Sequence, residues 1–381
     1  MPARIYLDYN ATSPVRPEVR AAVEPILFGD PGEGRFGNAS SVHWAGQSAR
    51  RQLESARAQV ASRLGRSPSE IVFTSGGTEA DNLALNGVLS RAERPRLVLS
   101  AVEHPAVAAC ADRWRARGAE VVRVPVTPDG ALDLDALDAA LDPSPTLVSV
   151  MAVNNETGFV HDIAAVAERV HAAGARLHVD AVQAAGRLPL QPLAEQADLL
   201  VVSGHKLGGL PGAGVLALRA DLPLTESMVG GPQERGRRAG TESVAAAVGL
   251  SAALERAEAE RAEESARLGR LRDRLEGHLA DLPGVRVLRG APRVAPVVTA
   301  LFEAVDGEVL LQALDLEGVA VSSGSACSSG SLEPSPVLLA LGIGAELARS
   351  AVRFSLGRGT TEAEIDAVTA LLPPLLARAR G

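Results

Sequence analysis

Through its first two thirds the chain alternates short runs rich in Val, Ile and Leu with alanine-rich stretches of helical character. This alternation restricts the fold more than any other feature. Strands are expected over residues 71–74, 97–100, 120–126, 147–152, 176–180, 199–203 and 215–218, with helical segments such as 164–173 between most of them. Several runs are apolar at consecutive positions, as in Leu199-Leu200-Val201-Val202. A strand that is apolar on both faces must be covered on both, so the pattern implies an α/β fold with a mostly parallel sheet between helices. The segment 251–282 differs. It is rich in Ala, Glu and Arg, and Leu268, Leu271, Leu275, Leu279 and Leu282 recur at helical spacing. It reads as a long amphipathic helix. That helix leaves a large domain of residues 15–255 and enters a smaller α+β domain of residues 1–14 and 256–381.

Composition narrows the function class. Apolar residues make up 46% of the chain and aromatic ones only 3%, so the core must be mostly Leu, Val and Ala. A formal charge of -8 argues against direct nucleic-acid binding as the main role. No apolar stretch approaches the roughly 20 residues of a membrane-spanning helix. The opening Met-Pro-Ala-Arg-Ile-Tyr-Leu-Asp has no signal-peptide core. Two cysteines, Cys110 and Cys327, provide no disulfide framework, and the seven histidines are scattered without zinc-ligand spacing. The expectation is a soluble cytoplasmic enzyme or enzyme-sized scaffold, with no membrane association and no metal.

Of the 38 Lys and Arg residues only one is lysine, Lys206 in Ser203-Gly204-His205-Lys206. Arginine neither deprotonates at a useful pH nor forms a Schiff base, whereas a lysine amine does both. The position follows the apolar run 198–203 and precedes the glycine-rich stretch 208–214, a strand-to-loop junction where α/β proteins carry chemistry. Three other clusters sit at expected strand ends. Thr74-Ser75-Gly76-Gly77-Thr78-Glu79 joins a strand to a helical pattern and reads as a phosphate cradle or an ordinary turn. Asn154-Asn155-Glu156-Thr157-Gly158 reads as ligand-facing polar groups or a polar turn. Asp180-Ala181-Val182-Gln183 offers a carboxylate for a protonated ring nitrogen, or a helix N-cap. A phosphate cradle, a carboxylate for a ring nitrogen and a Schiff-base lysine are together the requirements of pyridoxal phosphate. Cys327 lies in Val321-Ser322-Ser323-Gly324-Ser325-Ala326-Cys327-Ser328-Ser329-Gly330, which reads as a flexible loop presenting a reactive thiol. Cys110, in Ala-Val-Ala-Ala-Cys-Ala, reads as structural.

These residues, taken in order, resemble the cysteine desulfurases within the class-V aminotransferase group of pyridoxal-phosphate enzymes. The resemblance runs from Tyr6-Leu7-Asp8-Tyr9-Asn10-Ala11-Thr12 through Phe36-Gly37-Asn38, Glu103-His104 and the four clusters. It continues to Arg235-Gly236-Arg237-Arg238-Ala239-Gly240-Thr241, Ser322–Cys327 and Arg353-Phe354-Ser355-Leu356-Gly357-Arg358. It implies the type I pyridoxal-phosphate fold and the subgroup whose Ser-Ser-Gly-Ser-Ala-Cys cysteine rides on a long mobile loop. Lys206 would then hold the cofactor aldehyde as a Schiff base. Asp180 would pair with the ring nitrogen, and Gln183 with the ring hydroxyl. His104 would stack on the ring and take part in proton transfer, beside Asn155. Gly77, Thr78, Ser203 and His205 would hold the phosphate, joined by Thr241 across a homodimer interface. Arg353 would bind the carboxylate of the substrate, L-cysteine. Cys327 would take the substrate sulfur as a persulfide, releasing alanine, and pass it to an acceptor protein.

Three features depart from the family pattern. Ala39 follows Gly37-Asn38 where relatives usually carry proline, and the stretch after Lys206 lacks a Gly-Pro-Lys order. The sequence stops at Gly381 without the longer tail by which some relatives contact a cluster scaffold. The acceptor thus stays open between an iron-sulfur cluster scaffold, a tRNA-thiolation protein and another carrier. The alternative activities are selenocysteine lyase and class-V aminotransferase.

Overall fold

The computed structural model describes residues 4–30, 32, 36–141, 147–323 and 333–380. The chain opens with strand β1 (Ile5–Tyr6) and helices Pro17–Phe28 and Trp44–Arg63. It then lays down β2 (Ile71–Thr74), β3 (Arg96–Ser100), β4 (Glu120–Val124), β5 (Leu147–Ser149), β6 (Arg176–Asp180), β7 (Leu199–Ser203) and β8 (Gly214–Leu218). These form one sheet in the order β2-β8-β7-β6-β5-β3-β4, parallel except for β8, which runs antiparallel to both neighbours. All residues of β2, β5, β7 and β8 are buried, as expected for strands covered on two faces.

Two strands end earlier than the sequence suggests. β4 stops at Val124, since Pro125 has no N–H to extend the ladder. β5 stops at Ser149, although Val150 and Ala152 still donate to the carbonyls of His178 and Asp180. Between them the N–H of Met151 turns to the Glu103 carboxylate, at 2.7 Å.

The rest of the chain forms a smaller layer. Strands β9 (Val285–Val287), β10 (Val297–Phe302), β11 (Val319–Ala320), β12 (Ser322–Ser323) and β13 (Val352–Ser355) follow the long helix Val244–Ala280. Their antiparallel sheet has the order β12-β13-β10-β9, while β11 pairs in parallel with β1. The long helix starts seven residues before the expected 251, because Ser243 caps it by accepting from the N–H of Ala246. Its apolar face serves two cores. Val244 to Ala257 pack under the large sheet, whereas Leu268, Leu271, Leu275 and Leu279 pack with Phe302 and Phe354 under the small one. On that division we propose a large unit of residues 15–255 and a small one of 1–14 and 256–381.

Candidate active site

The carboxyl ends of β2, β5, β6 and β7 open on one side of the large sheet, and β13 of the small sheet faces them. Gly77, Thr78, His104, Asn155, Asp180, Gln183, Ser203, His205, Lys206 and Arg353 all line a single cavity of about 310 Å³ there. Asp180 is the last residue of β6, and Lys206 lies three residues beyond the end of β7.

The lysine is already held. Its Nζ donates to the carbonyl of Asn10 at 2.6 Å and to that of Ala11 at 2.8 Å. The neighbouring His205 touches Thr12 Oγ1 through Nδ1 at 3.2 Å. Burial, then the Lys206 charge, pushes His205 down to about 4, so it is a neutral donor near neutral pH. Asp180 accepts from the N–H of Val182 at 2.9 Å. Burial raises its carboxyl, while His104 and Lys206 pull it back toward the ionised form. His104 caps helix Pro105–Ala116, and its Nδ1 accepts from the N–H of Ala106 at 3.1 Å. A backbone N–H leaves Nδ1 no choice but to accept, so the neutral ring carries its proton on Nε2.

The candidate phosphate cradle follows from glycine. Helix Gly77–Leu89 has no side-chain cap on its first turn among the described residues, so its leading N–H groups remain available to an anion. A Cβ on Gly77 would come within 2.9 Å of Val182 Cγ2, and one on Gly214 within 2.5 Å of the Gly76 backbone. Ser203 Oγ and Gln183 Oε1 are buried without a hydrogen-bond partner among the described residues. Buried polar atoms rarely stay unsatisfied. These orphaned groups, an uncapped helix end, a buried carboxylate and the lysine fit pyridoxal phosphate.

Arg353 sits in the middle of β13 and is 1% exposed. Its Nη1 donates to the Asn155 carbonyl at 2.9 Å and its Nη2 to Asp8 Oδ1 at 2.8 Å, while Nε is left without a partner among the described residues. Receiving a substrate carboxylate therefore requires the Asp8 contact to be shared or exchanged. Thr241 is exposed and lies in a separate hollow with Ser75, Glu234 and Arg238, outside the Lys206 cavity. Cys327 lies outside the described residues. Cys110 is buried, and burial pushes its thiol up to about 11.

Sequence reasoning missed several contributors. Asn10 is a hub. Its carbonyl also accepts from Gln183 Nε2 at 3.1 Å, its Nδ2 donates to the Asn155 carbonyl and its Oδ1 accepts from Arg187. Asp81, on the cavity lining, and Glu103 are fully buried acids, and burial pushes Glu103 up to about 8. Glu234 was also unremarked. It forms a buried two-bond pair with Arg57 at 2.7 and 2.8 Å and accepts from the N–H of Phe73 at 2.9 Å. The pair stabilises a turn in which Glu234 and Arg235 take left-handed φ of 47° and 58°. No group of metal-ligating side chains and no helix long and apolar enough to cross a membrane occur among the described residues.

Known proteins resemble this chain over nearly its whole length. The aminotransferase class-V family pattern matches residues 5–368. A cysteine desulfurase of Cereibacter sphaeroides is 44% identical over 99% of this chain and 97% of its own. The solved structure of a NifS-like protein superposes with a TM-score of 0.91 at 32% identity, covering 99% of this chain and 100% of that one. The structure of SspA in complex with cysteine gives a TM-score of 0.81 at 28% identity, covering 93% of this chain and 99% of that one. This chain belongs to the class-V aminotransferase family of pyridoxal-phosphate enzymes and, within it, to the cysteine desulfurases.

Proposed function

We propose that this enzyme removes sulfur from L-cysteine, leaving alanine and a persulfide on Cys327 that passes to an acceptor protein. The observation that carries the residue assignment is the placement of the only lysine of the chain in one cavity with Asp180, His104 and an uncapped helix end. Bound there, pyridoxal phosphate supplies an aldehyde for the substrate amine and a ring that accepts the electron pair left at Cα. Gly77 and Thr78 hold the phosphate through the helix N-terminus, with Ser203 Oγ and His205 as side-chain donors. Thr241 of a second copy completes this contact in a homodimer, which accounts for its exposed position here. Asp180 holds a proton on the ring nitrogen, and Gln183 faces the ring hydroxyl. Lys206 Nζ, once deprotonated, takes the Cα proton, and His104 Nε2–H and Asn155 orient the substrate. Arg353 binds the substrate carboxylate through charge-assisted hydrogen bonds.

The sulfur step belongs to Cys327. Its thiolate attacks the substrate Sγ, an S–S bond forms, and the Cβ–S bond breaks with its electron pair left on Cβ, which is then protonated. Splitting the transfer at a covalent intermediate replaces one hard step with two easier ones. The acceptor we favour is a cytoplasmic sulfur-carrying protein serving iron-sulfur cluster assembly or tRNA thiolation. The test measures sulfide and alanine from L-cysteine with a reductant present, for wild type, Lys206→Ala and Cys327→Ser. Equal amounts of the two products from wild type, and neither from the variants, are expected. Full activity in Cys327→Ser would favour an aminotransferase or lyase instead.

A further inference from the structure

A second carboxylate, Asp81, lines the same cavity as Asp180, and the reaction described above gives it no part. His178 and Asp180 alternate with Val179 along β6 and so project from one face of the sheet. Helix Gly77–Leu89 packs on that face and turns Asp81 toward them. Asp81, His178 and Asp180 are 2%, 0% and 4% exposed, so water contributes little to any of the three. His178 Nε2 comes within 3.4 Å of Asp81 Oδ1, yet neither atom has a hydrogen-bond partner among the described residues. On its other side His178 Nδ1 meets Ser149 Oγ at 2.8 Å, and the Ser149 hydroxyl also faces Glu103.

Two proton arrangements can run along this row. In one, Ser149 donates to Nδ1, Nε2 carries the imidazole proton and Asp81 is an anion. In the other, Ser149 donates to Glu103, the Nδ1–H donates to Ser149, and Asp81 donates its own proton to a bare Nε2. The first sets a second anion beside Asp180 in water-free surroundings, and a buried carboxylate without a charged partner is costly. His178 cannot supply that charge, because burial pushes its imidazole down to about 3. Burial, then Asp180 and Glu103, raise Asp81 well above the usual carboxylate range. Cys110, facing Asp81 from helix Pro105–Ala116, is a neutral thiol, and His104 and Lys206 act on Asp180.

We propose that Asp81 is a positioning residue for the cofactor: a neutral acid that donates to His178 Nε2 and leaves Asp180 the single anion on this wall. The inference rests on Asp180 as the ring-nitrogen partner. A second anion at Asp81 would offer the ring-nitrogen proton a competing acceptor, whereas a neutral Asp81 leaves it one partner.

The test uses protein loaded with pyridoxal phosphate and labelled with nitrogen-15 at histidine, the His178 signals being assigned by their loss in His178→Gln. Near neutral pH, wild type should show a protonated Nδ1 and a bare Nε2 at His178. Asp81→Asn should keep that tautomer and hold the cofactor within about tenfold of wild type, because an amide N–H replaces the acid O–H. A protonated Nε2 in wild type overturns the proposal. A cofactor affinity lowered by more than about tenfold in Asp81→Asn also overturns it, as expected if a paired anion had been deleted. The wild-type spectrum decides alone if the variant does not fold. Asp180→Asn is a separate arm: undiminished cofactor affinity there would refute Asp180 as the ring partner, while the His178 tautomer still reports on Asp81.

Discussion

At the scale of single residues, what a motif side chain can do is decided by neighbours that lie far from it in the sequence. Lys206 is aimed by two backbone carbonyls from residues 10 and 11, and Asp180 is tuned by His104 and Lys206. The same burial acts on acids beside the cavity. It pushes Glu103 up to about 8 and Glu156 up to about 7, the latter despite its bond from Ser335. A raised folded-state value means that the native protein holds these protons more tightly than the unfolded chain does. Their stabilising contribution is complete below the ordinary carboxylate range and is lost as pH rises through 7 and 8. The urea midpoint of cofactor-free protein should therefore fall between roughly pH 5 and 9, and Glu103→Gln should flatten the upper part of that fall. An equally steep decline in the variant would clear Glu103. Nine expected site residues line the cavity because each lies at or just beyond a strand end that the apolar runs make visible, whereas Arg353 reaches it from within β13. The roles of Asn10, Asp81 and Glu103 were not legible, although Asn10 and Glu103 stand within motifs, since a carbonyl acceptor leaves no side-chain signature and burial of an acid is a tertiary property.

Among the elements, the strand β8 carries an unadvertised duty. Its first residue, Gly214, lies against the backbone of Gly76, so the reversed strand abuts the turn that opens helix Gly77–Leu89. Gly214→Ala would drive a methyl group into main chain that has no rotamer with which to yield. Overpacking of this kind costs about 1–3 kcal/mol, and the displaced turn should weaken cofactor affinity by roughly tenfold or more. Equilibrium dialysis of pyridoxal phosphate checks this, and an unchanged affinity would show that the turn tolerates the shift. The strands themselves were legible as apolar runs, but not the reversal of β8, because an apolar run has no direction. The early end of β4 was written in Pro125; that of β5 was not, since it depends on Glu103 capturing a backbone N–H.

Across the whole molecule, helix Val244–Ala280 ties two cores together. Leu275, fully buried on the small-sheet side, should cost about 2–5 kcal/mol when replaced by Ala. If the helix transmits that loss, unfolding followed by fluorescence of Trp44 and Trp114, both on the large-sheet side, should shift with the helical signal. Separate midpoints would show that the two cores melt independently. The helix was legible from its leucine spacing; its division between two cores was not, because Ala-rich and Leu-rich turns look alike until their partners are known. A last consequence concerns biogenesis. The segment that aims Lys206 is anchored by strand β13, and the bond from the N–H of Asn10 to Ser355 Oγ spans 345 positions. At roughly 5–20 residues per second, a ribosome needs about 17–70 seconds to make the second partner after the first. Lys206 is made partway through that interval, and for about the last 7–30 seconds of it the lysine exists without the finished wall that orients it. Capture of the cofactor in its working geometry thus becomes a report that synthesis has passed Ser355, and chains that stop short of it lack the finished wall.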